Sequence, residues 1–556
     1  MNDLLSTVRQ IPFTWLQVPI IDWLPEYTKE KFYKDLTAGV TVFVFMVPQG
    51  IAYAMLAGMP PAYGLYSSIV PLYLYAILGT SRQLSIGPMA ITSLLLGVSC
   101  QKFGFDDESP EYIQIAMNIS MLVGLITFFL GMFRMGTLVN LLSHSVLVGF
   151  LTASSLIIAI NQLKYIFGID MPRFAYVHQT LYYLLTHLQD TNVYAFLLGF
   201  FSWLVLVLIR VWKNRYKPTA ESTLYGKCSL VLYALANMSS FLVILLGSFI
   251  ARVIIQAGGN VHIVGTIPLG LLTPGFAFIP FPSLLHIFPT SLAISFVAFA
   301  GNWAVTRKYS IQYNYEVDAT QELLGEGFTI IVGVLFNAFV VSGGLARSAV
   351  NAEAGAVTQI SGVITASFIL LAVLTLTSSL YYIPMSSLAA VIEVSIISML
   401  DFTSMRNAYH VDKRDCMVMV ATFLFTFFIG VSEGLFAGMF LSIAVVMRSA
   451  AFPSVVHLGR LSSGLYYKNV LRFPEAEQIP GVAIIRMDAS LFFGNCTHFK
   501  QAVKSAAYGV HHSKSVSIHT VIVDASAWID IDLAGIQTLL ELKDELMKQL
   551  NVQLRI

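Results

Sequence analysis

Between residues 36 and 450 the chain is built of long apolar runs, and its charges gather at the joints between them. Lipid offers no partner to backbone amides and carbonyls, so runs of this kind cross a membrane as helices. A crossing needs roughly 20 apolar residues, and about fourteen segments qualify, some of them short. The first runs from Leu36 to Leu56, the second from Ala62 to Leu78, and a short third from Pro88 to Cys100. The next four centre on Ile126, Leu156, Leu204 and Ile244. A second set of seven begins near Phe288 and ends near Met447. The stretch from Pro172 to Leu188 reads as interfacial or looped.

Composition agrees. Of 556 residues, 56% are hydrophobic and only 11% charged, against about a quarter charged in a soluble domain. The net charge of +1 suggests no nucleic-acid partner. Cys100, Cys228, Cys416 and Cys496 are far apart and form no disulfide framework or metal spacing. The first 35 residues hold no signal-peptide core, so the first span is expected to act as its own insertion signal.

Charge placement sets the orientation. With an even number of spans both termini share a side. Arg210, Lys213, Arg215, Lys217 and Lys227 follow the sixth span, and Arg82, Arg134, Arg307, Lys308, Lys413 and Arg414 fall on that same side. The other side has Lys102 amid Asp106, Asp107, Glu108 and Glu111, then Lys164, Arg173 and Arg252. The positive-inside rule then places both termini in the cytoplasm.

The chain changes character near Leu461. "VAIIRMDAS" (Val482 to Ser490) and "TVIVDASA" (Thr520 to Ala527) read as buried strands. Leu533 to Leu550 has helical spacing, with Ile536, Leu539, Leu540 and Leu546 able to share a face. "VQLRI" reads as a last strand, so this small α/β domain is expected to be cut short. The expected division is a cytoplasmic segment over 1–35, a transport unit over 36–450, and a linker with the α/β domain over 451–556.

Seven plus seven spans fit an inverted repeat with broken helices at the midplane. Two matching breaks exist. "SIGPMAITSLLLG" (Ser85 to Gly97) places Pro88 at a first helical position, leaving the amides of Met89, Ala90 and Ile91 without helical partners. "VVSGGLARSAVNAEAGA" (Val340 to Ala356) breaks at Ser342-Gly343-Gly344, and Leu345-Ala346-Arg347 opens a helix. Each N-terminus carries roughly half a positive charge. Two of them facing one cavity make an anion site without a metal. Arg347 adds a full charge, costing roughly 2.5–3.5 kcal/mol at membrane depth unless it serves a pathway or a pair. A cruder reading has Arg347 snorkelling to an interface or pairing with Glu353.

In "FMVPQGIAYAMLAGMPPAYGLYSS" (Phe45 to Ser68), Gln49 and Tyr53 are four apart on one helix face. Gly50, Ala54 and Gly58 form a small-residue stripe beside them, suited to close helix approach. The candidate binding set is therefore Gln49, Tyr53, Met89, Ala90, Leu345, Ala346 and Arg347.

"VPQGIAYAMLAGMPPAYGLYSS", "GTSRQLSIGP", "YEVDATQELLGEG" and "GGLARSAVNAEAGAVTQISG" resemble signatures of the sulfate permease family, solute carrier family 26. That family includes animal anion exchangers, the motor protein prestin, plant sulfate transporters and bacterial bicarbonate carriers. The resemblance runs from about Asp35 to the end. It implies a 14-span, seven-plus-seven inverted repeat with core and gate domains and a cytoplasmic α/β STAS domain. It also implies a homodimer through the STAS and membrane parts, with the anion between the third and tenth helix N-termini and elevator-like access. Met89 takes a position often aromatic in animal relatives, Ala346 one that is often Ser, and Arg347 matches the family's basic residue.

Departures from the pattern carry expectations. Plant and many bacterial relatives hold an acid in the eighth helix that is linked to proton or sodium coupling. Here Gly301 takes that place, and nothing acidic occurs from Ser291 to Tyr315. This favours exchange or uncoupled transport, with Glu393 and Glu433 as alternative coupling acids or structural caps. In the STAS-like part, "DLAG" (Asp532 to Gly535) has no hydroxyl where antagonists of anti-sigma factors carry a phosphorylatable serine.

The expected function is a plasma-membrane exchanger of sulfate with chloride, bicarbonate or oxalate, needing no cofactor and no covalent chemistry. The alternatives are a channel-like conductance or prestin-like motor, and a non-transporting sensor or scaffold acting through the STAS domain. An enzyme is disfavoured: no nucleophile–base pair, metal cluster or phosphate-binding glycine loop is apparent. A nucleobase carrier of related fold is disfavoured by the STAS-like tail and Arg347.

Overall fold

The computed structural model describes residues 18–136, 143–172, 174, 176–215, 236, 238–268, 270, 274–461, 466–509 and 517–556. Arg173, Lys217, Lys227 and Cys228 lie outside them. Two compact units result, Met1–Met439 and Phe440–Ile556.

The first unit is helical. Helix α1 (Lys29–Leu56) starts where the Thr28 hydroxyl accepts from the Lys31 amide at 3.4 Å. It continues through Pro48, which cannot donate to the Val44 carbonyl and so loosens one turn. Next come α2 (Pro61–Tyr66), α3 (Val70–Leu78), strand β1 (Ile86–Gly87) and α4 (Ala90–Gln101). Then follow α5 (Pro110–Met132), α6 (His144–Phe167), α7 (Val177–Thr186), α8 (Val193–Arg215) and α9 (Ser239–Gln256). Helix α7 has ten residues, too short to span, as expected of an interfacial stretch.

The second run holds α10 (Phe281–Tyr313), α11 (Ala319–Leu335), strand β2 (Ser342–Gly343), α12 (Leu345–Glu353), α13 (Ile360–Thr375) and α14 (Met385–Ile396). It closes with α15 (Phe402–Val411), α16 (Lys413–Phe428) and the start of α17 (Val431–Ala451), which the boundary between the units divides. Eight described spans are long and apolar enough to cross a membrane, counting α2 and α3 together as Pro61–Leu78. The shorter apolar helices α4, α13 and α14 fall where the sequence reads further spans. This order is consistent with seven plus seven.

Packing sorts the helices into two sets. Helices α1 to α5 pack with α10 to α13, and α6, α8, α9 and α14 pack with one another and with α16. Buried polar groups pin the first set. Asp35 accepts from the amides of Val357 and Thr358 at 2.8 and 3.1 Å, fixing α1 to the start of α13. In the second set, Phe201, Leu208, Leu246 and Phe249 stay exposed on α8 and α9, as lipid-facing residues do.

The second unit contains a five-stranded mixed sheet. Strands β3 (Val455–Arg460), β4 (Tyr467–Asn469), β5 (Val482–Met487), β6 (Thr520–Asp524) and β7 (Gln553–Arg555) lie in the order β4-β3-β5-β6-β7. Strands β5, β6 and β7 are parallel, and β3 is antiparallel to both of its neighbours. Helices α18 (Cys496–Ala507) and α19 (Leu533–Leu550) cover it, with Phe499, Val503, Leu542 and Leu546 in the core. The buried face of α19 differs from the expected one. Leu539, Leu542 and Leu546 pack inward, while Ile536 and Leu540 are exposed, because seven residues make about two turns and put 539 and 546 in line.

Asp532, at the loop without a hydroxyl, caps α19. Its carboxylate accepts from the Gly535 amide at 2.7 Å and the Phe493 amide at 2.8 Å. Asp532→Ala should therefore cost about 1–2 kcal/mol of local stability. Hydrogen exchange of the full chain should show faster exchange across the first turn of α19, and unchanged exchange there refutes the cap.

Candidate functional site

Each short helix, α4 and α12, follows a two-residue strand, and those strands pair. Ile86 faces Gly343 and Gly87 faces Ser342 in antiparallel register. The helices therefore leave one crossing with both N-termini at it. Glycine permits the approach: a Cβ on Gly87 would stand 2.2 Å from Met46 Cε, and one on Gly344 would stand 2.8 Å from Arg347 Cζ. Side chains lace the crossing together. Ser348 Oγ accepts from the Ser85 amide at 2.9 Å, and Asn351 Nδ2 donates to the Gln83 carbonyl at 3.0 Å.

One boundary moves. Helix α4 begins at Ala90 with Met89 as its N-cap, so Pro88 precedes the helix instead of opening it. Neither Met89 nor Gly344 makes a side-chain cap bond. The amides without a carbonyl in their own helix are thus those of Ala90, Ile91 and Thr92, and of Leu345, Ala346 and Arg347.

A cavity of about 440 Å³ lies against these ends. Gln49, Tyr53, Met89, Ala90, Leu345, Ala346 and Arg347 all line it, so the seven sequence candidates come together. Gly301 lines the same wall, with Val297, Ala300 and Ala304 beside it on α10. Across from them stand Leu147, Val148 and Leu151 of α6. The cavity thus lies between the two helix sets, with polar groups where α1, α4 and α12 meet and at His144, Lys308, Ser395 and Asp401.

Arg347 is 1% exposed. Its Nη1 donates to Gln49 Oε1 at 3.2 Å and to the Pro88 carbonyl, and its Nη2 donates to the Ser342 carbonyl at 3.2 Å. Glu353 pairs instead with Lys213 at 3.6 Å. Both cruder readings of Arg347 therefore fail, because two main-chain carbonyls freed by the breaks and the Gln49 side chain take its Nη donors, while its buried Nε has no partner. The guanidinium ties one break to the other and to α1. Its charge reaches the cavity as a field in a poorly screening interior.

Gln49 Nε2 donates to the Tyr53 hydroxyl at 3.0 Å. A hydroxyl that accepts this bond keeps its own proton to give. The chain Arg347–Gln49–Tyr53 therefore polarises one donor toward the cavity. The small-residue stripe is shorter than expected. Gly50 and Ala54 meet Gly64 of α2, but Gly58 lies beyond the end of α1 at φ +73°.

Several residues lay outside the sequence reading. His144, Lys308 and Asp401 line the cavity, the first two exposed. Their only sequence signal was charge just past an apolar run. Behind the α10 wall, Glu322 and Glu326 of α11 are wholly buried and share the amide of Asn302. The span without acids on α10 stands, but α11 brings two acids against it. Glu433 pairs with Lys102 at 2.7 Å, the structural role expected of it, while Glu393 keeps Oε1 unpartnered.

Opposed half-helices of one helix set, facing a cavity against a second set, define a membrane transport protein. The chain belongs to the sulfate permease family, which matches residues 32–422, and the STAS domain family matches residues 473–556. It is 34% identical to sulfate transporter 4.1, chloroplastic, of Arabidopsis thaliana, over 99% of this chain and 79% of that protein. It is 30% identical to high affinity sulfate transporter 2 of Stylosanthes hamata, over 97% and 80%. Among solved structures, the murine solute carrier 26 family member A9 anion transporter in the inward-facing state superposes with TM-score 0.85. It has 26% identity and covers 97% of this chain and 87% of that one. The transmembrane domain of a cyanobacterium bicarbonate transporter, BicA, shares the fold with TM-score 0.62 at 18% identity, over 75% and 98%.

Proposed function

We propose that the protein is a secondary transporter exchanging sulfate with chloride, bicarbonate or oxalate. The observation that carries this reading is one cavity faced by two helix N-termini that Arg347 ties together. Dipole ends and the Arg347 field offset the desolvation of an anion, and Tyr53 donates to it. Transport follows when the α1–α5 and α10–α13 set shifts against the other, as in an elevator. Among the described residues the Lys213–Glu353 ion pair crosses between the sets, and it is remade or broken as they shift. On the positive-inside reading the exposed His144 and Lys308 face the cytoplasm with both termini, so the cavity stands open inward. The proposal includes a homodimer in the plasma membrane. The plant relatives, sulfate transporters themselves, support sulfate.

The test is labelled sulfate uptake into proteoliposomes, with unlabelled chloride, bicarbonate or oxalate as competitors at two pH values. Exchange predicts that anion loaded inside accelerates uptake severalfold. Equal uptake into empty vesicles overturns exchange. Currents far above carrier turnover, or a voltage-dependent capacitance without flux, point to the channel or motor reading. Sulfate binding without any flux points to a sensor.

A further inference from the structure

Glu322 and Glu326 sit one turn apart on α11, both 0% exposed, and their surroundings differ. Glu322 is supplied with donors. Tyr75 Oη reaches it at 2.9 Å, the Thr80 amide at 2.7 Å and the Thr80 hydroxyl at 2.6 Å. Such a ring of donors suits an ionised carboxylate. Glu326 receives one bond, from Asn302 Nδ2 to Oε2 at 3.0 Å, and the same amide reaches Glu322 at 3.4 Å. Its Oε1 has no partner, nor has Asn302 Oδ1. Both orphans are acceptors. No described salt bridge reaches either acid.

We propose that Glu326 is a proton-binding site that loads and unloads during transport, so that a proton travels with the anion. This rests on the transport reading and adds a coupling ion to it. The step is a plain proton transfer. A hydronium ion reaching from the cavity gives a proton to the Glu326 carboxylate: its O–H bond breaks as one forms at Oε1 and water is left, and on the other side the Oε1–H bond breaks and the proton returns to water. Protonation turns an orphan acceptor into a donor and removes a negative charge that a neighbouring buried carboxylate repels.

Location links this proton to the anion. Asn302 follows Gly301, which lines the cavity, and a Cβ on Gly343 would stand 2.9 Å from Asn302 Oδ1. Glu326 therefore lies one residue layer behind the wall that holds α12. The groups facing the acid pair are Asn302 of α10, Tyr75 of α3, Thr80, Tyr315, the Ser342 hydroxyl of β2, and Glu322 on its own helix. Helix α5 meets α11 there with Phe128 and Gly124, which carry no charge. Arg347 is engaged on the far side of Ser342, at its carbonyl. An unneutralised charge on Glu326 repels a dianion at the half-helices, so proton and sulfate each favour the other's binding. The geometry moves the coupling acid to α11, where Gly301 leaves none on α10.

The test uses the full chain in proteoliposomes with a trapped pH dye and labelled sulfate. Wild type should take up sulfate faster as external pH falls from 8 to 6, with proton entry during uptake. Glu326→Gln should lose the pH slope and the proton entry. Because a variant can lose flux for other reasons, sulfate protection against thermal unfolding is measured across the same pH range. It should strengthen at low pH in wild type and stay flat in Glu326→Gln. Wild-type uptake without proton entry, a retained pH slope in the variant, or dependence on sodium in place of protons overturns the proposal. No sulfate uptake by wild type at any pH instead overturns the transport reading.

Discussion

Arg347→Ala should reduce sulfate uptake at least about tenfold in protein that still elutes as folded. Hydrogen bonds from a charged donor contribute about 1.5–3 kcal/mol each, and about 1.4 kcal/mol is a factor of ten. Three acceptors lose that donor together: Gln49 Oε1 and the carbonyls of Pro88 and Ser342. The loss separates α4 from α12 and frees the Gln49 amide to turn away from Tyr53. Arg347→Lys keeps the charge but replaces a planar fork with a point. It should fall between wild type and alanine, restoring field without geometry. Arg347→Glu should transport nothing, because it puts a negative charge where a dianion must sit. Uptake assays on reconstituted protein decide the order, and near-normal flux in Arg347→Glu refutes the assignment of the site.

That site was readable to an unusual depth because membrane burial makes each polar exception expensive. Gly343-Gly344 before Arg347, and Gly87-Pro88 before Met89, could be recognised as breaks from residue type alone. What those breaks do to their neighbours could not. A main-chain carbonyl freed by a strand is invisible in sequence, so the engagement of the Arg347 donors by Pro88 and Ser342 had no signature. The Glu322–Glu326 pair was missed for a related reason. The family pattern points to α10, and Glu393 and Glu433 stand out on α14 and α17, but helices pack side by side, and α11 brings its acids to Asn302 from another part of the chain.

The fold divides similarly. Long apolar runs placed the first seven spans one by one but gave only outer limits for the second set, and the strands Val482–Met487 and Thr520–Asp524 stood out by their β-branched residues. Strand β4 and helix α18 did not stand out. Tyr467–Asn469 is a three-residue edge strand with two exposed residues, and α18 mixes Lys500 and Lys504 with Phe499 and Val503. Packing against the sheet selects such elements, and local pattern carries little of it. Likewise Ile536 looked as suited to the core as Leu546 until the sheet chose a face for α19.

Gly64→Ala should destabilise the membrane unit strongly: of the described glycines, its added Cβ would come nearest to another backbone atom. A Cβ there would lie 2.0 Å from the Gly50 carbonyl oxygen and 2.5 Å from its carbon. Both partners are backbone, so no side chain can swing aside, and α1 and α2 must part. Overpacking typically costs about 1–3 kcal/mol and more where the neighbour is rigid. The apparent unfolding temperature in detergent should drop by several degrees. Gly275→Ala is the control: nothing lies within 4 Å of its Cβ, so its stability should stay within about 0.5 kcal/mol. Function should respond as well. Helix α1 carries Gln49 one residue before Gly50 and Tyr53 three residues after, so moving α1 off Gly64 carries the Gln49–Tyr53 pair away from Arg347. Even the fraction of Gly64→Ala that folds should therefore bind sulfate more weakly. A variant with lowered stability but full sulfate protection against unfolding would show that the contact holds the helices without setting the site.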